Sequence, residues 1–269
     1  MSDNFKETSL RYHREPTPGK LGMVPTKPLA NQRDLARAYS PGVAFACEAI
    51  VEDPSAVSEM TIRANLVGVI TNGSAVLGLG NIGPLASKPV MEGKAVLFKK
   101  FAGINVFDIE IDQEDPDKLI EIIAALEPTF GAINLEDIKA PECFVVEKAL
   151  RKRMKIPVFH DDQHGTAIVA GAAISNGLRV VGKELKDVKL VATGGGAASL
   201  ACLDLLVSLG LRKENITLVD LEGVVFTDRK KDMNIYKDKY ARDTTKRTLD
   251  DAMNGVDVFL GLSAPGILK

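Results

Sequence analysis

The 269-residue chain is long enough for two domains, and its 45% hydrophobic and 26% charged residues are typical of a folded protein. Its 34 lysines and arginines nearly balance 36 aspartates and glutamates, which argues against nucleic acid as a partner. A polar N-terminus and the lack of an apolar run of about 20 residues argue against a secretion signal and a membrane span. Three scattered cysteines fit a reducing compartment, so we expect a cytoplasmic protein.

The first eighty residues predict little regular structure. Residues 1–30 are rich in proline, lysine and threonine, and we expect an extended arm that leads into a helix start at Asn31-Gln32-Arg33-Asp34. Two short apolar runs, Val67–Thr71 and Ala75–Gly80, then flank Asn72-Gly73. An Asn-Gly pair between apolar runs is typical of a β-hairpin, and we predict one here.

From residue 106 onward, short apolar runs alternate with helical patterns. Predicted helices begin at Asp115-Pro116 and at Pro141, and a third covers Ala197–Leu209. The predicted strands are Val106–Asp112, Ala132–Leu135, Ile156–Phe159, Lys189–Thr193, Ile216–Asp220 and Val256–Ser263. This alternation predicts an α/β fold with a parallel sheet covered by helices, whose ligands collect at the carboxyl ends of the strands.

Two glycine patterns could bind a dinucleotide. The first, Gly78, Gly80 and Gly83, precedes Pro84 and a stretch, Leu85–Gly93, that lacks a clean helical pattern, which disfavours this site. The second lies between a predicted strand and a predicted helix, as a dinucleotide fingerprint requires. Its residues are Thr193, Gly194, Gly195, Gly196, Ala197, Ala198 and Ser199, with serine in the last position where alanine or glycine is usual.

In the second pattern, Gly194 allows the tight turn and Gly196 lets the backbone approach a pyrophosphate at the helix N-terminus. Asp220 closes the next strand 21 residues beyond Ser199, near the spacing of about 20 expected for the acid that binds the ribose. An acid at this place favours NAD over NADP, although Arg229 and the adjacent Lys230 could reach a 2′-phosphate.

Acidic doublets follow two of the predicted strands. Glu136-Asp137 and Asp161-Asp162 could hold Mg²⁺ or Mn²⁺ through carboxylate oxygens. His160 and His164 form a near-miss to a zinc hydrolase motif, but that motif needs both histidines in one helix, and His160 ends a predicted strand. A third interpretation is that the acids only cap the helices that follow, although capping explains one acid per helix rather than a doublet.

The order of these motifs resembles the malic enzymes, especially the bacterial type, over essentially the whole chain. The stretches that carry the resemblance are Pro25–Leu29, Tyr39–Ala44, Gly78–Gly83, Pro89–Lys94, Asn134–Pro141 and His160–Thr166. The resemblance implies oxidative decarboxylation of L-malate to pyruvate and CO₂, with hydride transfer to NAD or NADP. It also implies a homodimer or a higher homo-oligomer.

The resemblance also implies roles for individual residues. Lys94 is the general base, Tyr39 the general acid, and Asp161 the partner that orients Lys94. The implied ligands of the divalent metal are Glu136, Asp137 and Asp162. These roles are chemically sensible, because malate's hydroxyl must lose a proton as hydride leaves, and a metal can stabilise the enolate that forms as CO₂ departs.

Two departures from the family pattern affect the prediction. Ala75 stands where many animal members carry an arginine for the malate carboxylate, which leaves the partner of that carboxylate open. The chain also stops at Lys269, so we predict a substrate and metal domain over residues 1–160 and an incomplete Rossmann-type domain over 161–269. A nucleotide-binding regulatory or assembly module without turnover is therefore an alternative to an active enzyme.

Overall fold

The computed structural model describes residues 3–268, which form two compact units. The first unit contains the chain up to Ile138 together with Val146–Phe159, and the second contains Lys139–Val145 and the chain from His160 onward. Between residues 3 and 268, no helix has both the length and the apolar character that crossing a membrane requires.

The first unit is built on a four-stranded sheet in the order β2-β1-β3-β4. Its strands are β1 (Leu66–Thr71), β2 (Asn105–Glu110), β3 (Ala132–Leu135) and β4 (Val158–His160). Strand β1 runs parallel to both β2 and β3. Its side chains are nearly all buried, as expected for a continuous apolar run at the centre of a parallel sheet.

Several helices precede β4 along the described chain. They are α1 (Asp3–Arg14), α2 (Gln32–Ala38), α3 (Val43–Glu52), α4 (Val57–Met60), α5 (Gly83–Leu97), α6 (Pro116–Ala125) and α7 (Glu142–Arg153). Helix α6 begins as predicted, because the Asp115 side chain caps it and Pro116 occupies its first turn. Helix α5 packs against β1 and β2 and buries Met91 and Ala95.

The second unit contains a sheet in the order β7-β6-β5-β8. Strand β5 (Leu190–Thr193) runs parallel to β6 (Ile216–Asp220) and β8 (Val258–Gly261), whereas the short β7 (Gly223–Val224) is antiparallel to β6. The helices are α8 (Thr166–Val180), α9 (Ala197–Ser208), α10 (Ile235–Asp238) and α11 (Leu249–Met253). The β5-α9-β6 succession is the predicted Rossmann-type unit, so the α/β fold class is confirmed.

The predicted hairpin around Asn72-Gly73 is wrong. Strand β1 pairs in parallel with its neighbours, and Ala75–Gly80 forms a loop instead of a returning strand. Gly73 has a φ of +65°, and a side chain there would come within 2.2 Å of the Gly83 carbonyl oxygen. The turn therefore directs the chain against the start of α5 rather than back along β1.

Two further predictions in this unit are wrong. Leu85–Gly93 lies inside the continuous helix α5 even though Pro89 removes one backbone donor, because the packing of α5 on the sheet stabilises the helix beyond its local propensity. Residues 3–14 of the predicted extended arm form helix α1. Its last turn carries Arg11, His13 and Arg14, which complement the negative end of the helix dipole.

Candidate metal centre and nucleotide pocket

Two buried carboxylates follow β3 directly. Glu136 is 5% exposed and Asp137 is 4% exposed. The Glu136 backbone N–H donates to the Ile70 carbonyl in β1, whereas Asp137 has a φ of +54°, which turns the chain out of the sheet. The Asp137 carbonyl then accepts a hydrogen bond from the Ala75 N–H at 3.0 Å. Removing two adjacent charges from water is unfavourable unless cations or donors compensate them.

Each oxygen of the Glu136 side chain has a donor in the first unit. Lys94, on α5, places its Nζ 3.0 Å from Oε1, and Asn134, in β3, donates from Nδ2 to Oε2 at 2.9 Å. The predicted base therefore lies against a predicted metal ligand. Asn134 was not predicted as a site residue, although a polar side chain inside an apolar strand was a signal that could have identified it.

The third predicted ligand follows β4, the neighbour of β3 in the sheet. Asp162 comes two residues after β4 ends, and one ligand oxygen from each of Glu136, Asp137 and Asp162 lies within 4.8 Å of the others. Carboxylate oxygens are the ligands that Mg²⁺ and Mn²⁺ prefer, and carboxylates this close repel each other unless a cation lies between them. The donor set therefore fits a hard divalent cation.

The two histidines do not form a zinc motif. His160 is the last residue of β4 and fully buried, with its Nδ1 3.8 Å from Asp162 Oδ2. His164 lies in the turn of π-helix, Asp161–Gly165, that precedes α8. Because the zinc motif needs both histidines inside one α-helix, this arrangement favours the hard cation over zinc.

Tyr39, the predicted general acid, is exposed to solvent. Tyr39 follows α2, its side chain is 72% exposed, and it makes no side-chain hydrogen bond or ring contact within residues 3–268. Asp161 is half-buried, and its Oδ1 would lie 2.3 Å from a Cβ at Gly165. The glycine at position 165 thus leaves room for the Asp161 carboxylate, while the roles of Tyr39 and Asp161 stay predictions.

The glycine-rich loop lies between β5 and α9 in the second unit. Gly194 has a φ of +106°, and a Cβ there would come within 2.4 Å of the Leu262 carbonyl oxygen, so only glycine fits. Gly196 precedes α9, and no atom lies within 4 Å of where its Cβ would be, which leaves space for a ligand at the helix N-terminus. The first turn of α9 is formed by Ala197, Ala198 and the buried Ser199.

Sequence reasoning missed the role of Gly195. A Cβ at this position would lie 2.5 Å from Cε of Lys237, because the lysine side chain crosses the glycine loop. The loop and this lysine line a cavity of about 770 Å³, together with the end of β6 and residues 247–249 and 262–264. Lys237 follows Gly195 by 42 positions, so no local pattern relates the two residues.

Asp220 ends β6 in this cavity with its charge already paired. The Arg229 guanidinium binds both carboxylate oxygens, Nη1 to Oδ1 at 2.8 Å and Nη2 to Oδ2 at 2.5 Å, and Lys237 Nζ lies 3.0 Å from Oδ2. Burial opposes ionisation of Asp220, but the hydrogen bonds from Arg229 and Lys237 outweigh it and lower the pKa of the carboxyl. The charge of Asp220 is therefore shared with two cations, and the preference for NAD over NADP stays a prediction.

Family models match both parts of the chain. Residues 18–151 match the malic enzyme N-terminal domain, and residues 163–265 match the malic enzyme NAD-binding domain. The chain belongs to the malic enzyme family. This membership confirms the resemblance found in the sequence.

Relatives within the malic enzymes cover the whole chain. The NAD-dependent malic enzyme of Rhizobium meliloti is 62% identical over 268 residues, and the NADP-dependent malic enzyme of Escherichia coli is 62% identical over 269. Both matches cover 100% of this chain but 35% of the relative, so the chain spans about a third of their length. The crystal structure of the NAD-dependent malic enzyme from Thermotoga maritima superposes with a TM-score of 0.90 at 40% identity, over 100% of this chain and 70% of that one.

Proposed function

We propose that this chain carries the substrate, metal and nucleotide sites of a malic enzyme, which converts L-malate to pyruvate and CO₂ with hydride transfer to NAD or NADP. Residues 1–160 would bind substrate and supply Glu136 and Asp137 to the metal, and residues 161–269 would hold the nucleotide in a Rossmann-type domain and supply Asp162. The observation that carries the proposal is the carboxylate cluster with Lys94 3.0 Å from one of its members. A structural ion pair would not need two further acids beside it.

Glu136, Asp137 and Asp162 would hold Mg²⁺ or Mn²⁺. The proposal is supported by their three carboxylates, whose ligand oxygens lie within 4.8 Å of one another, and by the burial of the first two. When bound, such a cation supplies Lewis-acid stabilisation of the negative charge that develops on the substrate's C2 oxygen.

Lys94 would move the first proton. Its Nζ would accept the proton of the C2 hydroxyl, and a bound nicotinamide would supply the acceptor for the hydride that C2 loses. The bond from C3 to its carboxylate then breaks, CO₂ leaves, and the electron pair remains as an enolate. Tyr39 would donate its hydroxyl proton to C3, and Asp161 would orient Lys94.

Exposure of Tyr39 and its surroundings supports a homodimer or a higher homo-oligomer. Helices α2 and α3, which flank Tyr39, bury none of their residues, and Phe45 and Val51 are exposed apolar side chains on α3. Apolar surface of this extent is typical of a face covered by another protein molecule. A second copy on this face would shield Tyr39 from water, and sedimentation of the purified chain tests the assembly.

The cavity in the second unit would bind the nicotinamide dinucleotide. The space at Gly196 supports a pyrophosphate at the N-terminus of α9, and Asp220 marks the ribose end. Two relatives of equal identity are named for different cofactors, so neither name decides the choice. Because Arg229 and Lys237 neutralise Asp220, we propose that the site admits NADP as well as NAD.

Steady-state turnover of the 269-residue chain tests the proposal. With L-malate and Mn²⁺, and with each cofactor in turn, we expect NAD(P)H and pyruvate in equal amounts, and no product after chelation of the metal. Nucleotide binding without turnover would instead indicate the non-catalytic module. Stoichiometric bound zinc with hydrolytic activity would indicate the hydrolase.

A further inference from the structure

Asn134 is a polar residue where folding alone favours an apolar one. It lies in β3 between the buried residues Ile133 and Leu135, is 2% exposed, and pairs in register with the fully buried Val69 of β1. Strands buried in a parallel sheet are ordinarily near-continuous runs of apolar side chains. Packing of the core therefore does not explain why an amide side chain occupies this position.

The hydrogen bonds of the amide give that explanation. Nδ2 donates to Glu136 Oε2 at 2.9 Å, whereas Oδ1 is buried and has no hydrogen-bond partner within the described part of the chain. A buried carbonyl oxygen without a donor destabilises the folded state, so the residue does not serve stability through that atom. The reversed amide would place Oδ1 against a carboxylate oxygen, and repulsion between the two oxygens fixes the orientation observed.

We propose that Asn134 is a positioning residue for the metal centre. By holding Oε2, its amide fixes the rotation of the Glu136 carboxylate, while Oε1 faces Lys94 at 3.0 Å. A donor that hydrogen-bonds to a metal ligand orients that ligand before the cation arrives, and loss of such a donor typically weakens metal binding about 10- to 100-fold. The inference rests on the proposed metal centre and adds the residue that keeps one of its ligands in place.

Three variants of the 269-residue chain test this inference, with Mn²⁺ alone as the probe. Asn134→Leu keeps the branch at Cγ, removes the donor and suits the apolar neighbours. Asn134→Asp replaces the donor by a further negative charge. Asn65→Leu is the matched control, since Asn65 precedes the amino end of β1 and donates to the Gly103 carbonyl. Calorimetry gives the Mn²⁺ dissociation constant, and thermal unfolding without metal gives the stability.

We expect Asn134→Leu to weaken Mn²⁺ binding about 10- to 100-fold with little change in the metal-free melting temperature, and Asn65→Leu to bind as the unmodified chain does. Asn134→Asp should also bind more weakly, although a site that needed only negative charge would bind more tightly. The positioning role is overturned if Asn134→Leu binds Mn²⁺ as the unmodified chain does, or if Asn134→Asp binds it more tightly. It is also overturned if the affinity for Mn²⁺ falls only in proportion to a lower melting temperature. Absence of Mn²⁺ binding by the unmodified chain overturns the proposed metal centre itself.

Discussion

Carboxylates end a strand in both units of this protein, but their surroundings differ. Asp220, the last residue of β6, binds Arg229 and Lys237, two cations from the same unit that are themselves buried. Glu136, after β3, belongs to a group of three carboxylates, with Lys94 against one of its oxygens. The first site balances its charges, because Lys237 also binds Asp232, whereas the second concentrates three negative charges.

The difference separates a structural acid from candidate ligands. A carboxylate that binds two buried cations contributes to the stability of its unit, and losing it leaves Arg229 without the carboxylate it binds and Lys237 with Asp232 alone. Clustered carboxylates raise the free energy of the folded state by mutual repulsion, which a bound divalent cation relieves. Removing Asp220 should therefore mainly destabilise the fold. Removing an acid of the cluster should mainly weaken cation binding.

The largest effect on activity is expected from Lys94→Ala. Loss of a general base typically costs about 10²- to 10⁴-fold in rate, so kcat for malate oxidation should fall by that factor in an active form. Removing the lysine leaves Glu136 and Asp137 in place, so calorimetry should still show Mn²⁺ binding. Lys99→Ala is the control, because Lys99 binds Asn105 on the exposed surface. Normal malate oxidation by Lys94→Ala would refute the base assignment.

Asp220→Asn should have the largest effect on stability. The change leaves the buried Arg229 without its charged partner and Lys237 with Asp232 alone, and breaking a buried pair in this way costs about 3 kcal/mol or more. The pKa of Asp220 is lowered in the folded state, so its stabilisation is present above the unfolded value near 3.9 and is lost as the pH falls through the lower folded value. Denaturant unfolding should show the difference at pH 7 shrinking below about pH 4.

The sequence predicted the sheets better than the connections between their strands. β3 and β6 have the predicted bounds, because short apolar runs between turn residues carry their own signal. The hairpin failed because the turn at Gly73 is decided by its contact with Gly83, which is distant from the local pattern. Helix α5 was missed because packing on the sheet outweighs the effect of Pro89.

In the candidate sites, too, some residues could be predicted from the sequence and the contacts between them could not. The acids and glycines were predictable because they lie at strand ends in recognisable order. The contacts made to them were not: the polar side chain of Asn134 in an apolar strand does not show which group the amide binds, and Lys237 reaches Asp220 from α10, 17 positions along the chain. Arg229 was predicted to be able to reach a phosphate, but it binds Asp220 with both of its terminal nitrogens. Such contacts depend on tertiary structure and leave no local pattern.

Asp162→Asn tests the cluster from the side of the cation. Replacing one of three anionic ligands by a neutral amide should weaken Mn²⁺ binding by at least about tenfold, while the free energy of unfolding without metal should stay equal or rise because repulsion is reduced. Asp187→Asn is the matched control, since Asp187 is an exposed acid paired with Arg212. If Asp162→Asn instead destabilises the metal-free chain as strongly as Asp220→Asn does, Asp162 is a structural acid like Asp220 rather than a ligand held against repulsion.

The smallest of these effects concerns cofactor choice. Lys237→Met keeps the aliphatic stem over Gly195 but removes one of the two positive charges beside Asp220. A 2′-phosphate placed at this strand end would then meet a more negative pocket, and kcat/KM for NADP relative to NAD should fall about tenfold, which is 1.4 kcal/mol. Lys231→Met removes the same charge from a lysine that pairs with Glu222 and is mostly exposed, so its ratio should stay nearly unchanged. Equal shifts in both variants would show that net charge, rather than the pairing of Asp220, governs the choice.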